Sequence, residues 1–190
     1  MQDRIIGKIK ESIEVKKLVI KSLVPQIEQA AQWMIKALKN GNKIFFFGNG
    51  GSAADAQHFA AELIGRYRKD RRSLPAIALT TDTSIITSLS NDYGFETIFA
   101  RQIEGLAKKG DIAIGISTSG NSRNVLEGVE KAKELGAKTI ALLGCDGGRI
   151  AEVADLSITI PHKVTPRIQE SHITIGHIIC GLAEEELFPS

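Results

Sequence analysis

The sequence has few of the features that mark secreted or membrane-bound proteins. Only two cysteines, Cys145 and Cys180, occur among 190 residues. They form no disulfide framework and no CxxC metal site, so we expect two buried free thiols. No apolar run approaches the roughly 20 residues that span a bilayer, and the N-terminal MQDRIIGKIKESIE has no apolar signal region. We therefore expect a cytoplasmic protein without membrane contact.

An excess of charge of one sign is also missing. The formal net charge is +2, and the longest basic cluster is the short run RKDRR at 68–72. Nucleic-acid-binding domains are typically far more basic, so the charge indicates no nucleic-acid partner. The length of 190 residues favours a single domain, and no internal repeat is visible.

The first forty residues form a pattern of their own. Between residues 3 and 39, apolar residues recur at spacings of three, four or seven, which is typical of amphipathic helix. Pro25 lies inside the pattern and lacks an N–H group, so we expect a break there and two helices. Asn40 and Gly41 are a typical helix end. The pattern predicts an N-terminal helical extension.

From residue 43 onward, short apolar segments alternate with helical ones. The predicted strands are 43–47, 76–79, 111–116, 138–143 and 156–160. The predicted helices are 52–64 with Ser52 as N-cap, 81–89, 94–106, 121–135, 147–154 and 167–187. This alternation predicts an α/β fold, a five-stranded parallel sheet flanked by helices. Ligands of such sheets bind beyond the carboxyl ends of the strands.

A glycine-rich turn, GNGGS, follows the first predicted strand. Residues 48–53 match the loose dinucleotide pattern G-x-G-x-x-A, which also needs an acidic residue about twenty positions later at the end of a second strand. The candidate, Asp70, has no strand before it, and the Walker lysine is absent. The turn therefore favours a sugar-phosphate site over a nucleotide site.

A second turn, STSGNS at 117–122, carries four hydroxyl side chains. They belong to Ser117, Thr118, Ser119 and Ser122. Gly120 allows close approach of the backbone, and the helix that follows presents free N–H groups to an anion. The segment predicts a phosphate site, with a serine-rich helix cap as the alternative.

Metal-binding and acid–base side chains cluster on two predicted helices. His58 and Glu62 are four residues apart, on one helix face, and the last helix carries Gln169, Glu170, His172 and His177. A zinc set of His58, Glu62, His177 and a Gln169 oxygen is consistent with these residue types. The alternative for His58 and Glu62 is a solvated pair.

The zinc set has a geometric difficulty. Gln169 and His177 are eight positions apart, about 12 Å along a helix. A helix irregularity or a ligand from a neighbouring subunit would relieve it, and the sequence does not choose between them.

Two further polar features have open alternatives. Asn91 and Asp92 are suited to sugar hydroxyls or to a turn before Gly94. Arg66 follows Glu62 by one turn and is suited either to an anionic ligand or to capping its helix.

Together these motifs resemble the phosphoheptose isomerases, a family of the sugar isomerase (SIS) fold. The resemblance rests on FFFGNGGSAADAQHFAAEL, LTTDTSIITSLSNDYGFE, GDIAIGISTSGNSRNVLEGVEKAKELGAK, LLGCDGG and RIQESHITIGHIICGL, in this order. It implies a single three-layer SIS domain over 1–190, in which 1–40 assists assembly and 41–190 forms the sugar-phosphate-binding core. It also implies a cytoplasmic homotetramer with active sites between subunits.

The implied reaction converts D-sedoheptulose 7-phosphate to D-glycero-D-manno-heptose 7-phosphate through an enediol, the first step toward lipopolysaccharide heptose. The implied cofactor is one zinc per subunit on His58, Glu62, Gln169 and His177, and Glu62 and His177 form the acid–base pair. The implied substrate contacts are Gly50, Gly51, Ser52, Asn91, Asp92, Ser117, Thr118, Ser119 and Ser122. Asn49, Glu62, Arg66 and Gln169 are further candidate substrate contacts.

The sequence departs from the family at one position. Some members carry an aspartate three residues before the glutamine, where this chain has Pro166. A carboxylate role at that point is therefore not expected here, but the predicted ligand set is unaffected.

Two other functions are compatible with the same fold. A non-catalytic SIS regulator that binds the bacterial replication initiator also resembles this chain, but typically lacks Glu and His at the positions of Glu62 and His177. Their presence here favours the enzyme. The other alternative is an isomerase of the same fold that acts on a shorter ketose phosphate.

Overall fold

The structure, a computed structural model, describes residues 1–189 and contains five strands that form one parallel sheet. The strands are β1 (Ile44–Gly48), β2 (Ala76–Ala78), β3 (Ile112–Ser117), β4 (Lys138–Gly144) and β5 (Leu156–Ile160). Their order across the sheet is β2-β1-β3-β4-β5, and every neighbouring pair is parallel. The predicted five-stranded parallel α/β fold is confirmed.

Helices cover both faces of the sheet. They are α1 (Gln2–Ser22), α2 (Val24–Lys39), α3 (Gly51–Ile64), α4 (Thr83–Tyr93), α5 (Ile98–Leu106), α6 (Arg123–Glu134), α7 (Gly148–Val153) and α8 (Thr165–Leu187). Side chains alternate along β1, so that Phe46 packs with α2, α3 and α8 while Phe45 and Phe47 pack with α5 and α6. The result is three layers, with an apolar core on each side of the sheet.

The N-terminal helices break close to the predicted position. α1 ends at Ser22, and Pro25 lies in the first turn of α2, where a missing N–H group is tolerated. Five isoleucines of α1 remain exposed on the surface of the chain. They are Ile5, Ile6, Ile9, Ile13 and Ile20. α1 therefore has an apolar face that this chain alone does not cover.

The predicted N-cap of α3 is wrong. Gly50 caps this helix with φ +54°, and Ser52 lies inside the first turn, buried. The chain must reverse sharply between β1 and α3, and glycine adopts the required positive φ without steric cost. At the next helix Asp82 is the N-cap, because its carboxylate accepts a hydrogen bond of 2.9 Å from the N–H of Ile85.

Candidate active site

The two glycine- and serine-rich turns lie side by side at one edge of the sheet. β1 and β3 are neighbours, with Gly48 in register with Ile116, and the strand order reverses at this pair. The chain crosses from β1 to β2 on one side and to β3 on the other, which makes the gap between them a topological switch point. The predicted meeting of GNGGS and STSGNS at this edge follows directly from the strand order.

A pair of asparagines connects the two turns. The amide of Asn49 donates to the Oδ1 of Asn124 at 2.8 Å, and the amide of Asn124 donates back to Asn49 at 2.8 Å. Asn124 is buried in the first turn of α6. Sequence reasoning missed Asn124, although a polar residue beside the apolar core positions of α6 is a usable signal.

The hydroxyls of the second turn converge. Ser117 donates to the Oγ of Ser122 at 3.0 Å, and the Oγ of Ser119 lies 3.5 Å from that of Ser117. Ser122 is the N-cap residue of α6, yet its side chain makes no capping hydrogen bond. The hydroxyl cluster therefore does not serve as a helix cap, and it sits at the positive end of the α6 dipole, where an anion is favoured.

Helices α3 and α8 lie against each other in parallel. A Cβ added at Gly51 would overlap the Gln169 amide, and one added at Gly176 would overlap the Phe59 ring. His58 meets His177 at the same level as this second contact. The absence of a side chain at Gly51 and Gly176 allows this close approach.

Three of the predicted site residues form one cluster between these helices. The Nε2 of His58 lies 3.0 Å from the Oε1 of Glu62 and 3.0 Å from the Nε2 of His177. His177 Nε2 is 3.8 Å from Glu62 Oε1. Glu62 and His177 are partly buried and His58 is more exposed, so the cluster is open to solvent on one side.

The donor set of this cluster fits a divalent metal. Two imidazole nitrogens and one carboxylate oxygen lie within 4.8 Å of one another, close enough to share one metal ion. The two Nε2 atoms are 3.0 Å apart, a distance that fits a hydrogen bond in which one ring nitrogen donates its proton to the other. Imidazole and carboxylate are ligands typical of zinc.

Gln169 lies at a different level from this cluster. Its amide contacts Gly51 at the start of α3, whereas His58 is seven residues, about 10 Å, further along that helix. The separation along α8 noted in the sequence is therefore present in this chain. The assignment of Gln169 as a ligand stays a prediction.

The remaining predicted contacts lie at the surface. Asn91 and Asp92 are exposed in the last turn of α4, where the Asn91 amide donates to Asp92 Oδ1 at 2.8 Å. Arg66 is exposed just after α3. The end of α3 is capped by Arg71, whose guanidinium donates to the carbonyl oxygens of Glu62 and Leu63, both at 2.8 Å.

Asp55 was not singled out from the sequence. It lies on α3 one turn before His58, and its Oδ2 is buried without a hydrogen-bond partner among the described residues. Burial raises the pKa of Asp55 to about 6, with His58 acting in the opposite direction. This carboxyl is thus protonated far more readily than an exposed aspartate.

The fold and the site are those of a sugar-phosphate-binding α/β protein, and comparison with known proteins identifies its family. The SIS domain family matches residues 9–144. The phosphoheptose isomerase of Aquifex aeolicus is 57% identical over 97% of both chains. The solved phosphoheptose isomerase of Neisseria gonorrhoeae superposes with a TM-score of 0.92 at 47% identity, over 97% of this chain and 98% of that one. For that of Francisella tularensis the TM-score is 0.93 at 40% identity, over the same shares.

The chain belongs to the phosphoheptose isomerase family of SIS-domain proteins. It is therefore an isomerase that acts on a sugar phosphate. The replication regulator is not favoured. Among the described residues, no helix is long and apolar enough to cross a membrane.

Proposed function

We propose that this chain isomerises D-sedoheptulose 7-phosphate to D-glycero-D-manno-heptose 7-phosphate, the heptose used for lipopolysaccharide. The observation that carries this proposal is the convergence of Glu62 with His177, 3.8 Å apart, in a chain of this family. A carboxylate and an imidazole at one position are the groups that an enediol mechanism needs.

In this mechanism Glu62 takes the proton from carbon 1 of the ketose and later delivers it to carbon 2. His177 donates a proton to the oxygen on carbon 2 as the enediol forms and accepts the proton of the oxygen on carbon 1 as it collapses. No electrons leave the substrate, because one proton moves from carbon 1 to carbon 2 and a second proton is lost from the oxygen on carbon 1 as one is gained by the oxygen on carbon 2. Glu62 thus serves as general base and His177 as general acid.

The serine-rich turn holds the far end of the substrate. Ser117, Ser119 and Ser122 supply converging hydroxyls for the phosphate, and the phosphate of this sugar is at the opposite end of the carbon chain from the reacting carbons. Binding energy at the phosphate therefore orients carbons 1 and 2 toward Glu62 and His177.

We propose zinc as the cofactor, one per subunit, held by His58, Glu62 and His177 with Gln169 as the predicted fourth ligand. The support is the donor set of the cluster. Bound zinc polarises a carbonyl oxygen and stabilises the negative charge that develops on it. A carboxylate held by zinc would be less free to accept a proton, so the ligand and base roles of Glu62 compete, and a mainly organising role of the metal would remove this conflict.

The proposal extends to assembly. A homotetramer, with sites at subunit interfaces, would cover the exposed isoleucines of α1. Three of them, Ile5, Ile9 and Ile13, line a groove of about 780 Å³ together with Arg167 and Glu170. Contiguous exposed apolar surface of this kind favours association. In this proposal residues 1–40 assist assembly, residues 41–190 form the core of a single SIS domain, and the protein works in the cytoplasm.

The test is isomerisation of sedoheptulose 7-phosphate by purified protein, with and without chelator and added zinc. Turnover that is lost to chelator and restored by zinc is the expected result. Turnover that persists in protein shown to be metal-free would leave the isomerase in place and remove zinc from it. Absence of turnover by folded, zinc-loaded protein would overturn the activity, and a shorter ketose phosphate assayed in parallel would identify the other isomerase.

A further inference from the structure

One buried ion pair connects the ends of the two helices that carry the site. The Nε of Arg71 donates to the Oε2 of Glu184 at 3.0 Å, and both side chains are at most 3% exposed. Arg71 follows α3 in the chain, whereas Glu184 lies on α8 two turns beyond His177. The pair therefore bridges the helix of His58 and Glu62 to the helix of His177.

Arg71 also holds the end of α3. Its Nη2 donates to the carbonyl of Glu62 at 2.8 Å, and its Nη1 donates to the carbonyls of Leu63 at 2.8 Å and Gly65 at 3.1 Å. These carbonyls are at the helix end, where intrahelical donors run out. The backbone of Glu62 is thus tied directly to the guanidinium that pairs with α8.

Glu184 holds the segment that follows α3. Its carboxylate accepts the backbone N–H of Tyr67 at 3.0 Å and those of Arg68 and Lys69 at 2.8 Å. Burial alone would raise the pKa of Glu184, but the hydrogen bonds from Lys69, Arg68, Tyr67 and Arg71 outweigh it and lower that pKa. The carboxylate therefore remains charged and fully bonded.

The segment held in this way places an aromatic ring on the site. The ring of Tyr67 lies 5.9 Å from that of His177, centroid to centroid. A Cβ added at Gly181 would lie 3.0 Å from the Tyr67 ring, so the ring rests on α8 one turn beyond His177. His177 is therefore packed between Tyr67 and His58, and the centroids of the His58 and His177 rings are 5.0 Å apart.

We propose that Glu184 and Arg71 are positioning residues that set the axial position of α3 on α8, and that Tyr67, held by Glu184, keeps the His177 ring turned toward His58 and Glu62. The proposal rests on the function proposed above. A shift of about 1 Å between these helices would separate Glu62 from His177, and small misplacements of reacting groups carry large rate penalties.

The test compares Glu184→Gln with a matched control, Asp111→Asn. Asp111 is also a fully buried carboxylate that accepts backbone N–H groups, those of Lys43 at 2.9 Å and Lys108 at 3.0 Å, but it lies before β3 at the opposite edge of the sheet. We expect Glu184→Gln to lower kcat by about ten- to a hundredfold and to weaken zinc binding to the metal-free protein by a similar factor. KM for the sugar phosphate should change by less than about twofold, because the serine-rich turn lies on other elements.

The control separates positioning from stability. Asp111→Asn should lower Tm but leave kcat and zinc affinity of the folded protein near wild type. If Glu184→Gln behaves in the same way as Asp111→Asn, the positioning role is wrong.

Tyr67 provides a second pair of variants in case Glu184→Gln does not fold. Tyr67→Leu removes the ring from His177 and should lower kcat and zinc affinity severalfold, whereas Tyr67→Phe retains the ring and should restore both. Equal behaviour of the two variants would overturn the role of the ring. If wild-type protein binds zinc but isomerises no sugar phosphate, the proposed function fails while the zinc affinities still decide the positioning role. If it does neither, both proposals fail.

Discussion

The Nε2 atoms of His58 and His177 lie 3.0 Å apart, although 119 positions separate the two residues in the chain. Each histidine comes from a different helix, and Glu62 approaches both from one turn beyond His58. Since all three residues belong to one chain, the proposed acid–base pair of Glu62 and His177 and the neighbouring His58 come together within a single subunit. This arrangement leads to specific expectations for variants.

Replacement of Glu62 by glutamine should remove the base while preserving its shape. We expect kcat to fall by at least about a hundredfold, since general base catalysis contributes 10²- to 10⁴-fold, with substrate binding changed only slightly. Single-turnover isomerisation and equilibrium binding of the sugar phosphate measure the two effects. Glu185→Gln, at an exposed glutamate of α8, is the matched control, and near-normal turnover by Glu62→Gln would contradict the proton-transfer role.

Mixing two inactive variants tests whether one chain supplies both groups. When Glu62→Gln and His177→Asn proteins exchange subunits, we expect no recovery of activity, because every chain still lacks one member of the pair. Native mass spectrometry confirms the exchange, and the isomerase assay follows activity. Recovery to a substantial fraction of wild-type turnover would indicate that Glu62 and His177 act across a subunit interface.

The serine-rich turn should affect binding more than chemistry. Ser122→Ala removes a hydroxyl that accepts from Ser117 and is free of any capping role, so we expect KM to rise by about ten- to a hundredfold with kcat nearly unchanged. Loss of one hydrogen bond to a charged group corresponds to about 1.5–3 kcal/mol. Ser157→Ala on β5 serves as a control, and a variant that lost kcat but kept KM would argue against a phosphate role.

His172 should make folding stability depend on pH. It is fully buried, its Nε2 lies 2.9 Å from the carbonyl of Leu143, and its Nδ1 has no partner among the described residues. Burial lowers the pKa of His172 to about 4, although the hydrogen bond to Leu143 acts in the opposite direction. The unfolded chain, with an ordinary pKa near 6.5, therefore binds the proton first as the pH falls.

The contribution of His172 to the free energy of unfolding is thus fully present above about pH 6.5. It is lost as the pH falls toward 4, by at most about 3 kcal/mol. Urea unfolding of wild type and His172→Gln across this range measures it. The difference in unfolding free energy between the two proteins should change between pH 6.5 and 4 and be constant above pH 7. Asp55, with its raised pKa, contributes in the opposite sense but equally to both proteins. If the unfolding free energies of wild type and His172→Gln differ by the same amount from pH 7 down to pH 4, the prediction is wrong.

Most strands and helices could be predicted from local pattern. β5 was predicted at its observed bounds, and the first four strands to within about one residue at either end. Errors occurred where the chain reverses: Gly50 rather than Ser52 caps α3, because a positive φ was required there. A single sequence shows which residue types are suited to cap a helix. The direction in which the chain must turn before that helix depends on how the strand and the helix pack in the folded protein.

Three of the predicted site residues lie together in the structure. His58, Glu62 and His177 were singled out by residue type and helical spacing, and they do meet. Asn124, Arg71 and Glu184 were missed, since their partners are distant in the chain and the sequence alone does not show which polar side chains will meet. Gln169 was grouped with His177, and its amide contacts Gly51 at the start of α3, so its role as a ligand stays a prediction.

The sequence by itself determined most of the secondary structure, the parallel α/β class and the chemical groups of the site, because these depend on residue type and on periods of two and 3.6 residues. Only the tertiary structure decided that α3 and α8 pack in parallel, that His58 faces His177, and that Arg71 and Glu184 join the ends of their helices. These contacts arise from burying apolar helix faces against one sheet. No local pattern encodes which faces will meet.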